Sequence, residues 1–369
     1  HQLEVDAMLD EQGLTLHWQY DPACLPAIQA QQLAERMLDN IKVLITLGDA
    51  PLPVPADFDL VALEQDELAL LIQDYPELSQ ILPLSWMQEG MLFHSRYAPT
   101  SGVYHEQIVY TLNGRWQADR MRQAFTSLVA RHDILRSAFV LDLPSGPVQV
   151  INSRAELDWH YLDWQAQPVQ DLDAALDKLL ADDLSQPFAM HKPALLRVYH
   201  IQLNAQLHWL LVSHHHAILD GWSLSRLMAE FRHLCGMADA DMPERVEATA
   251  QYGNYLKWLH GRQSDLAFWE AWLGKGCQPT TLPLADTQKL TEQRGELAQH
   301  HHCLKGQSFS HLRSFARRHH LTLSTLVQAA WATLLHEYSG SRQVIFGVTH
   351  SGRNIELPRV EEMLGLFIN

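Results

Sequence analysis

The run Leu207-His208-Trp209-Leu210-Leu211-Val212 is apolar at nearly every position and has the length of one strand. A strand with one face in water alternates polar and apolar residues, whereas a strand covered on both faces does not. This segment therefore reads as buried above and below. It is followed by Ser213-His214-His215-His216-Ala217-Ile218-Leu219-Asp220-Gly221-Trp222-Ser223. Leu224, Leu227, Met228 and Phe231 then recur at the i, i+3, i+4, i+7 spacing of an amphipathic helix. The pattern predicts a strand end, a tight loop holding two histidines, and a helix capped by Ser223. Gly221 permits the turn. Such a junction can push an imidazole into a cleft, and an aspartate four residues on can fix the loop through its backbone or a distant arginine. A lone histidine at a strand end is ordinarily a satisfied core residue. His-His-x-x-x-Asp-Gly at a strand-to-helix junction is far more specific, and it makes His215, His216, Asp220 and Gly221 the candidate site.

Composition narrows the function class. The 369 residues carry a net charge of −16, which argues against the basic face that nucleic acid requires and against adsorption to an anionic membrane. No apolar run approaches the roughly 18 residues of a spanning helix. His1–Asp6 has neither a basic nor an apolar leader pattern, so a cytoplasmic location is expected. Cys24, Cys235, Cys277 and Cys303 lack CxxC spacing, so neither a disulfide framework nor a zinc knuckle is expected. The 22 histidines include the clusters His214–His216, His300–His302 and His319–His320. Adjacent residues point in different directions on strands and helices alike, and HExxH is absent. The second and third clusters therefore read as solvated surface, and no metal is expected.

Two unlike parts follow one another. Leu3, Val5 and Ala7 alternate, Glu11-Gln12-Gly13 reads as a turn, and Leu14, Leu16 and Trp18 alternate again. Ile28 to Leu47 then has helical periodicity. Asp49–Asp57 is proline-rich and acidic, the composition of a stiff extended linker, and Leu63–Ile72 reads as a short surface helix. The compact body begins near Ile81, with helices at Met121–Leu128 and through Leu326, Trp331 and Leu335 to a stop at Gly340. Strands alternating with helices predict a mixed α/β (α+β) fold.

Further motifs join the histidine motif in a fixed order. These are Leu82-Pro83-Leu84-Ser85-Trp86-Met87-Gln88-Glu89-Gly90-Met91-Leu92-Phe93-His94-Ser95, Arg131-His132-Asp133-Ile134-Leu135-Arg136 and Tyr252-Gly253-Asn254-Tyr255-Leu256-Lys257-Trp258. Phe346-Gly347-Val348-Thr349-His350-Ser351-Gly352-Arg353 and Gly365-Leu366-Phe367-Ile368-Asn369 complete the series. Together they resemble the condensation domains of nonribosomal peptide synthetases, members of the chloramphenicol-acetyltransferase-like superfamily. Trp86 stands where that family commonly has proline or alanine.

The resemblance implies a two-lobed architecture, with residues 81–245 as the first lobe and 246–369 as a second lobe incomplete at its C-terminus. Residues 1–50 resemble the tail of an upstream epimerisation-like domain, with 51–80 as the linker. It also implies peptide-bond formation between two carrier-bound thioesters, the acceptor amine attacking the donor carbonyl. Upstream and downstream peptidyl carrier domains are then the partners, each bringing its own 4'-phosphopantetheine, and the domain binds no cofactor itself. Epimerisation and adenylation domains are the expected neighbours in the same polypeptide, without nucleic acid or membrane.

On this resemblance His216 contacts the amine, His215 packs structurally and Asp220 holds the loop. Gly221 leaves room for a pantetheine arm, Arg353 pairs with Asp220, and Arg131 and Arg136 brace the first lobe. An epimerisation domain, which shares the histidine motif, and a catalytically dead carrier-docking platform are the alternatives. The Thr349–Arg353 segment is similar to condensation domains, and the opening motif is most like those taking a D-configured donor.

Overall fold

The computed structural model describes residues 3–10, 13–46, 53–98, 102–236, 250–262, 265–274, 280 and 300–369. Its elements begin with β1 (Leu3–Asp10), β2 (Gly13–Tyr20), α1 (Ala27–Thr46), α2 (Gln65–Asp74) and β3 (Leu78–Pro83). Next come α3 (Trp86–Tyr97), β4 (His105–Asn113), α4 (Ala118–Arg131), β5 (Ser137–Val140), β6 (Val148–Asn152) and β7 (Asp158–Asp163). Then follow α5 (Leu172–Leu184), β8 (Leu196–Gln202), β9 (Leu207–His215) and α6 (Gly221–Leu234). The series ends with α7 (Tyr252–His260), α8 (Leu266–Leu273), α9 (Gly306–Arg318) and α10 (Leu323–Ser339). The chain divides into two compact units, His1–Pro83 with Val140–Ser153, and Leu84–Phe139 with Arg154–Asn369.

In the first unit β1 and β2 pair antiparallel from Leu3↔Tyr20 to Asp10↔Gly13, as their alternation predicts. Glu11 and Gln12 of the expected turn lie outside the described residues. The helix expected from Ile28 runs from Ala27, and that expected over Leu63–Ile72 is shifted to Gln65–Asp74. The shift has a local cause: Glu67 Oε2 accepts the Glu64 N–H at 2.8 Å, which makes Glu64 the cap. Residues 49–52 of the proline-rich stretch are outside the description. Pro55–Asp57 is not extended but a 3-10 turn, closed by the Asp57 carboxylate on the Val54 N–H at 2.9 Å. β3 and β6 pair antiparallel around Ile81↔Val150.

The second unit is built on a four-stranded sheet in the order β4-β9-β8-β7, antiparallel except for the parallel β7–β8 pair. β9 sits between two partners, and Leu210, Leu211 and Val212, which point to alternate faces, are all fully buried, so both faces of the strand are covered. Strand alternation sends Tyr199, Ile201 and Leu211 to one face, where Leu172, Leu176 and Leu180 of α5 cover them. Towards the other face Phe125 of α4 packs on Phe231 of α6 at 4.6 Å and on Trp159 of β7 at 6.1 Å. α10 ends where expected, at Gly340 in the left-handed conformation (φ 69°). The irregular segment after it buries Met363, Leu364, Leu366 and Phe367. Among the described residues no helix is long and apolar enough to cross a membrane.

Candidate active site

β9 runs to His215, three residues past the Val212 end expected from the sequence, so His214 and His215 belong to the strand and only His216 enters the loop. The apolar pattern alone puts both motif histidines in the loop. Pairing with β4, which sets His215 opposite His105, carries the strand through His215.

The two motif histidines have opposite hydrogen-bond patterns. His216 Nδ1 lies 2.8 Å from the Leu219 carbonyl, which can only accept, so Nδ1 carries the proton and Nε2 presents a lone pair. His215 Nδ1 accepts the Ala217 N–H at 3.2 Å. Its Nε2 meets Ser95 Oγ at 3.0 Å, and Ser95 already donates to the Met91 carbonyl at 2.9 Å. His215 therefore carries its proton on Nε2. His214 and His215 are buried and His216 is partly exposed. Burial, reinforced by the neighbouring histidines, pushes His215 down to about 4 and His214 to about 3, so both are neutral at pH 7.

The backbone of His216 is fixed as well. Its N–H donates to the Tyr104 carbonyl at 2.8 Å. Tyr104 holds φ at 69°, a region that non-glycine residues seldom occupy and that clusters at functional sites.

Asp220, not Ser223, caps α6. Its Oδ1 accepts the Ser223 N–H at 2.8 Å and its Oδ2 accepts the Phe367 N–H at 3.0 Å. The shorter reach from Asp220 to the third helical N–H is the usual aspartate cap. Ser223 Oγ is thereby released to accept from Gly365 N at 3.0 Å and Arg353 Nη2 at 2.8 Å, and to donate to the Gly365 carbonyl at 2.8 Å. Arg353 Nη2 lies 3.5 Å from Asp220 Oδ1, and its guanidinium sits 3.9 Å above the Phe367 ring. Gly352 (φ 66°) precedes it because a Cβ there would stand 1.7 Å from the Phe367 carbonyl. A Cβ on Gly221 would meet nothing within 4 Å, so that position faces open space.

Arg131 and Arg136 belong to a different cluster. Arg131 Nη1 approaches Glu230 of α6 at 3.4 Å, alongside His132 Nε2 at 2.9 Å. Burial opposes ionisation of Glu230, but His132, Arg226 and Arg131 hold it below the usual carboxylate range. Arg136 bonds Asp133 and the Ala130 carbonyl. This cluster ties the end of α4 to the helix that Asp220 begins.

Sequence reasoning missed a second buried hub on the same strand. Asp183 of α5 receives His105, Gln107, Tyr199, Ser213 and Arg197. Burial opposes its charge, yet the bonds from His105, Ser213 and Gln107 and the Arg197 cation hold it well below the usual range. Ser213 Oγ and Asp183 Oδ2 both approach His105 through the same nitrogen, Nε2. A hydrolytic triad needs them on opposite nitrogens, so this set is not one. Its only sequence signal is a polar residue pattern at the end of an apolar strand. Elsewhere His300–His302, His319 and His320 are exposed. Among the described residues no group of three or more His, Cys, Asp or Glu is placed to hold a metal. Trp86 is 67% exposed and lines a cleft of about 710 Å³ with Trp258, Trp269 and His350.

Comparison with known proteins places this geometry in a family. The condensation-domain profile matches residues 78–369, which include the Asp220–Arg353 pairing and the whole histidine loop. The chain belongs to the condensation-domain family. It is 30% identical over 374 residues to one of the linear gramicidin synthase polypeptides of Brevibacillus parabrevis, covering all of this chain and 7% of that protein. It is 29% identical over 381 residues to bacitracin synthase 1 of Bacillus licheniformis, again covering all of this chain and 7% of the relative. The chain thus spans a small fraction of these synthases. Among solved structures it is similar to the condensation domain from monacolin K polyketide synthase, with TM-score 0.62, 19% identity, and 79% of this chain on 67% of that one. The first condensation domain of the calcium-dependent antibiotic synthetase superposes with TM-score 0.60 and 17% identity, 78% of this chain on 68% of that one. These likenesses establish the condensation-domain fold, a mixed α/β architecture.

Proposed function

We propose that this condensation domain forms the peptide bond of a nonribosomal synthetase. The α-amine of a carrier-bound aminoacyl group attacks the thioester carbonyl of an upstream carrier-bound peptidyl group. The C–N bond forms, the C–S bond breaks, the pantetheine sulfur leaves as a thiol, and the proton lost by the amine balances it. The observation that carries this reading is His216: its ring is tied by Nδ1 to the Leu219 carbonyl, and its Nε2 lone pair is the part left to meet a donor.

An α-amine has a pKa of about 7.7–8.0, so on the order of a tenth is already neutral at pH 7. Deprotonation is therefore a small part of the barrier. Alignment of two tethered reactants and stabilisation of the tetrahedral intermediate are the larger parts. The His216 Nε2 lone pair accepts the amine hydrogen, orienting the attacking nitrogen, and takes the proton as the C–N bond forms. His215, neutral and bonded on both nitrogens, is a structural residue. Asp220 holds the loop, and the open space at Gly221 passes the pantetheine arm. Arg353 supports Asp220, while Arg131 and Arg136 support α4 and α6.

The carrier domains supply their own 4'-phosphopantetheine, and epimerisation and adenylation domains flank this one. In this reading residues 1–50 are the tail of an upstream epimerisation-like domain, 51–80 a linker, and 81–245 and 246–369 the two lobes. The donor is D-configured and the acceptor L-configured. The location is cytoplasmic, compatible with the free thiols of Cys24, Cys235 and Cys303. Loading two carrier domains with defined substrates and measuring amide product tests the proposal. Absence of product with both carriers loaded would leave the docking-platform reading in its place.

A further inference from the structure

Helix α3 lays Gln88, Met91, Leu92 and Ser95 along one face, at positions i, i+3, i+4 and i+7. Met91 and Leu92 are buried apolar residues, as a core-facing stripe requires. Gln88 is polar and fully buried on that stripe, and Ser95 is half-buried. A polar group in such a place is costly unless it is bonded, so its partners reveal why it is there.

Gln88 Nε2 donates to the Ala217 carbonyl at 3.0 Å, and its Oε1 accepts the Ser85 N–H at 2.9 Å. The amide can point only one way, since one partner is a donor and the other an acceptor. Ser95 gives its hydrogen to the Met91 carbonyl and so accepts from His215 Nε2. That leaves His215 Nδ1 to accept the Ala217 N–H. One helix thus holds Ala217 twice, its carbonyl directly and its N–H through His215. Ala217 is the residue after His216, whose own N–H is held by Tyr104. The backbone is therefore fixed on both sides of His216, on the Ala217 side by two side chains seven residues apart on a single helix.

We propose that Gln88 and Ser95 are positioning residues for His216, acting through Ala217 and touching neither substrate. The assignment rests on the amide-forming reading of His216. Ser95→Ala removes the acceptor for the His215 ring N–H, and Gln88→Glu replaces a donor with a carboxylate oxygen facing the Ala217 carbonyl. Either frees the loop and misplaces Nε2, and displacement of a reacting group by about 1 Å costs on the order of 100-fold in rate.

The test uses the full chain with both loaded carrier domains, and nitrogen-15 labelled histidine. We expect Ser95→Ala and Gln88→Glu to lower kcat by about 10- to 100-fold with KM for each carrier changed less than about 2-fold. Ser95→Thr, which keeps the hydroxyl, should restore turnover. The His216 ring signals, assigned by their loss in His216→Gln, should change from a single Nδ1–H tautomer to a mixture. Should Gln88→Glu fail to fold, Ser95→Ala and its threonine rescue carry the test alone. Folded Ser95→Ala with wild-type kcat, or with reduced kcat but unchanged His216 signals, would overturn the proposal. Wild-type protein that makes no amide would instead remove the functional reading, while the ring signals would still report whether the clamp exists.

Discussion

Asp220 Oδ1 and Arg353 Nη2 face each other at 3.5 Å, and each makes shorter bonds elsewhere. Arg353 donates to the Val360 and Met363 carbonyls and to Ser223 Oγ. Asp220 accepts from Ser223 N and Phe367 N. The pair therefore works less as an isolated ion pair than as the charged centre of a knot joining the start of α6 to residues 353–367. Arg353 is 4% and Asp220 0% exposed at the side chain, so neither has water to fall back on.

Removing one partner of a buried pair leaves the other uncompensated, at a cost of about 3–5 kcal/mol. Asp220→Ala should lower stability in urea unfolding by that order, and activity with it. A fully stable but inactive Asp220→Ala protein would give Asp220 a direct chemical role instead.

The two glycines of the site should behave oppositely. Gly352→Ala drives a Cβ into the Phe367 carbonyl at a φ of 66°, so the knot must open. The loss should exceed about 2 kcal/mol, the range of other strained or overpacked positions. A Cβ at Gly221 meets nothing within 4 Å, so Gly221→Ala should leave the unfolding midpoint nearly unchanged while slowing turnover. Equal stability losses in the two variants would contradict the reading of Gly221 as open passage.

Stability should also fall in mild acid. An unfolded histidine titrates near 6.5, while burial holds His200 and His215 at about 4 and His214 at about 3 in the fold. Between these values the unfolded chain binds more protons, so stability rises with pH through this window. The stabilisation is complete above about pH 6.5 and is lost progressively as pH falls towards 4. Urea midpoints measured from about pH 7 down to about pH 5 should decline steadily, and a flat profile would contradict it.

Much of this architecture can be read from local pattern. The β1–β2 alternation, the buried β9 run and the α6 and α10 periodicities each follow from the spacing of apolar residues. What the pattern does not show depends on residues far apart in the chain. β9 extends through His215 because β4 pairs with it, and the α6 cap is Asp220 because Phe367, 147 residues away, completes its carboxylate. Ser223 has the composition of a cap because serine is a good one, yet its hydroxyl serves Arg353 and Gly365. Asp183 gives no local signal, since its five partners come from three strands. Gln88 and Ser95 are visible as polar residues on an apolar helix face, but their partners are not.

The proposed D-configured donor rests on the resemblance of the opening motif, Pro83–Ser95, to condensation domains that follow an epimerisation domain. A donor pocket shaped for the D side chain displaces the thioester carbonyl of an L donor. Displacement of about 1 Å costs on the order of 100-fold in rate. Paired assays with D- and L-terminated donors on otherwise identical carriers should show that preference. Equal rates, or preference for the L donor, would contradict it.

In the proposed function this chain joins two carrier-bound groups through the Nε2 lone pair of His216. The most direct test is single-turnover amide formation between two loaded carrier domains, comparing wild type with His216→Ala at matched thermal stability. Wild type should give amide product and the variant a rate at least about 100-fold lower, the order expected for loss of a positioned acid–base group. A folded His216→Ala protein that forms amide at the wild-type rate would contradict it.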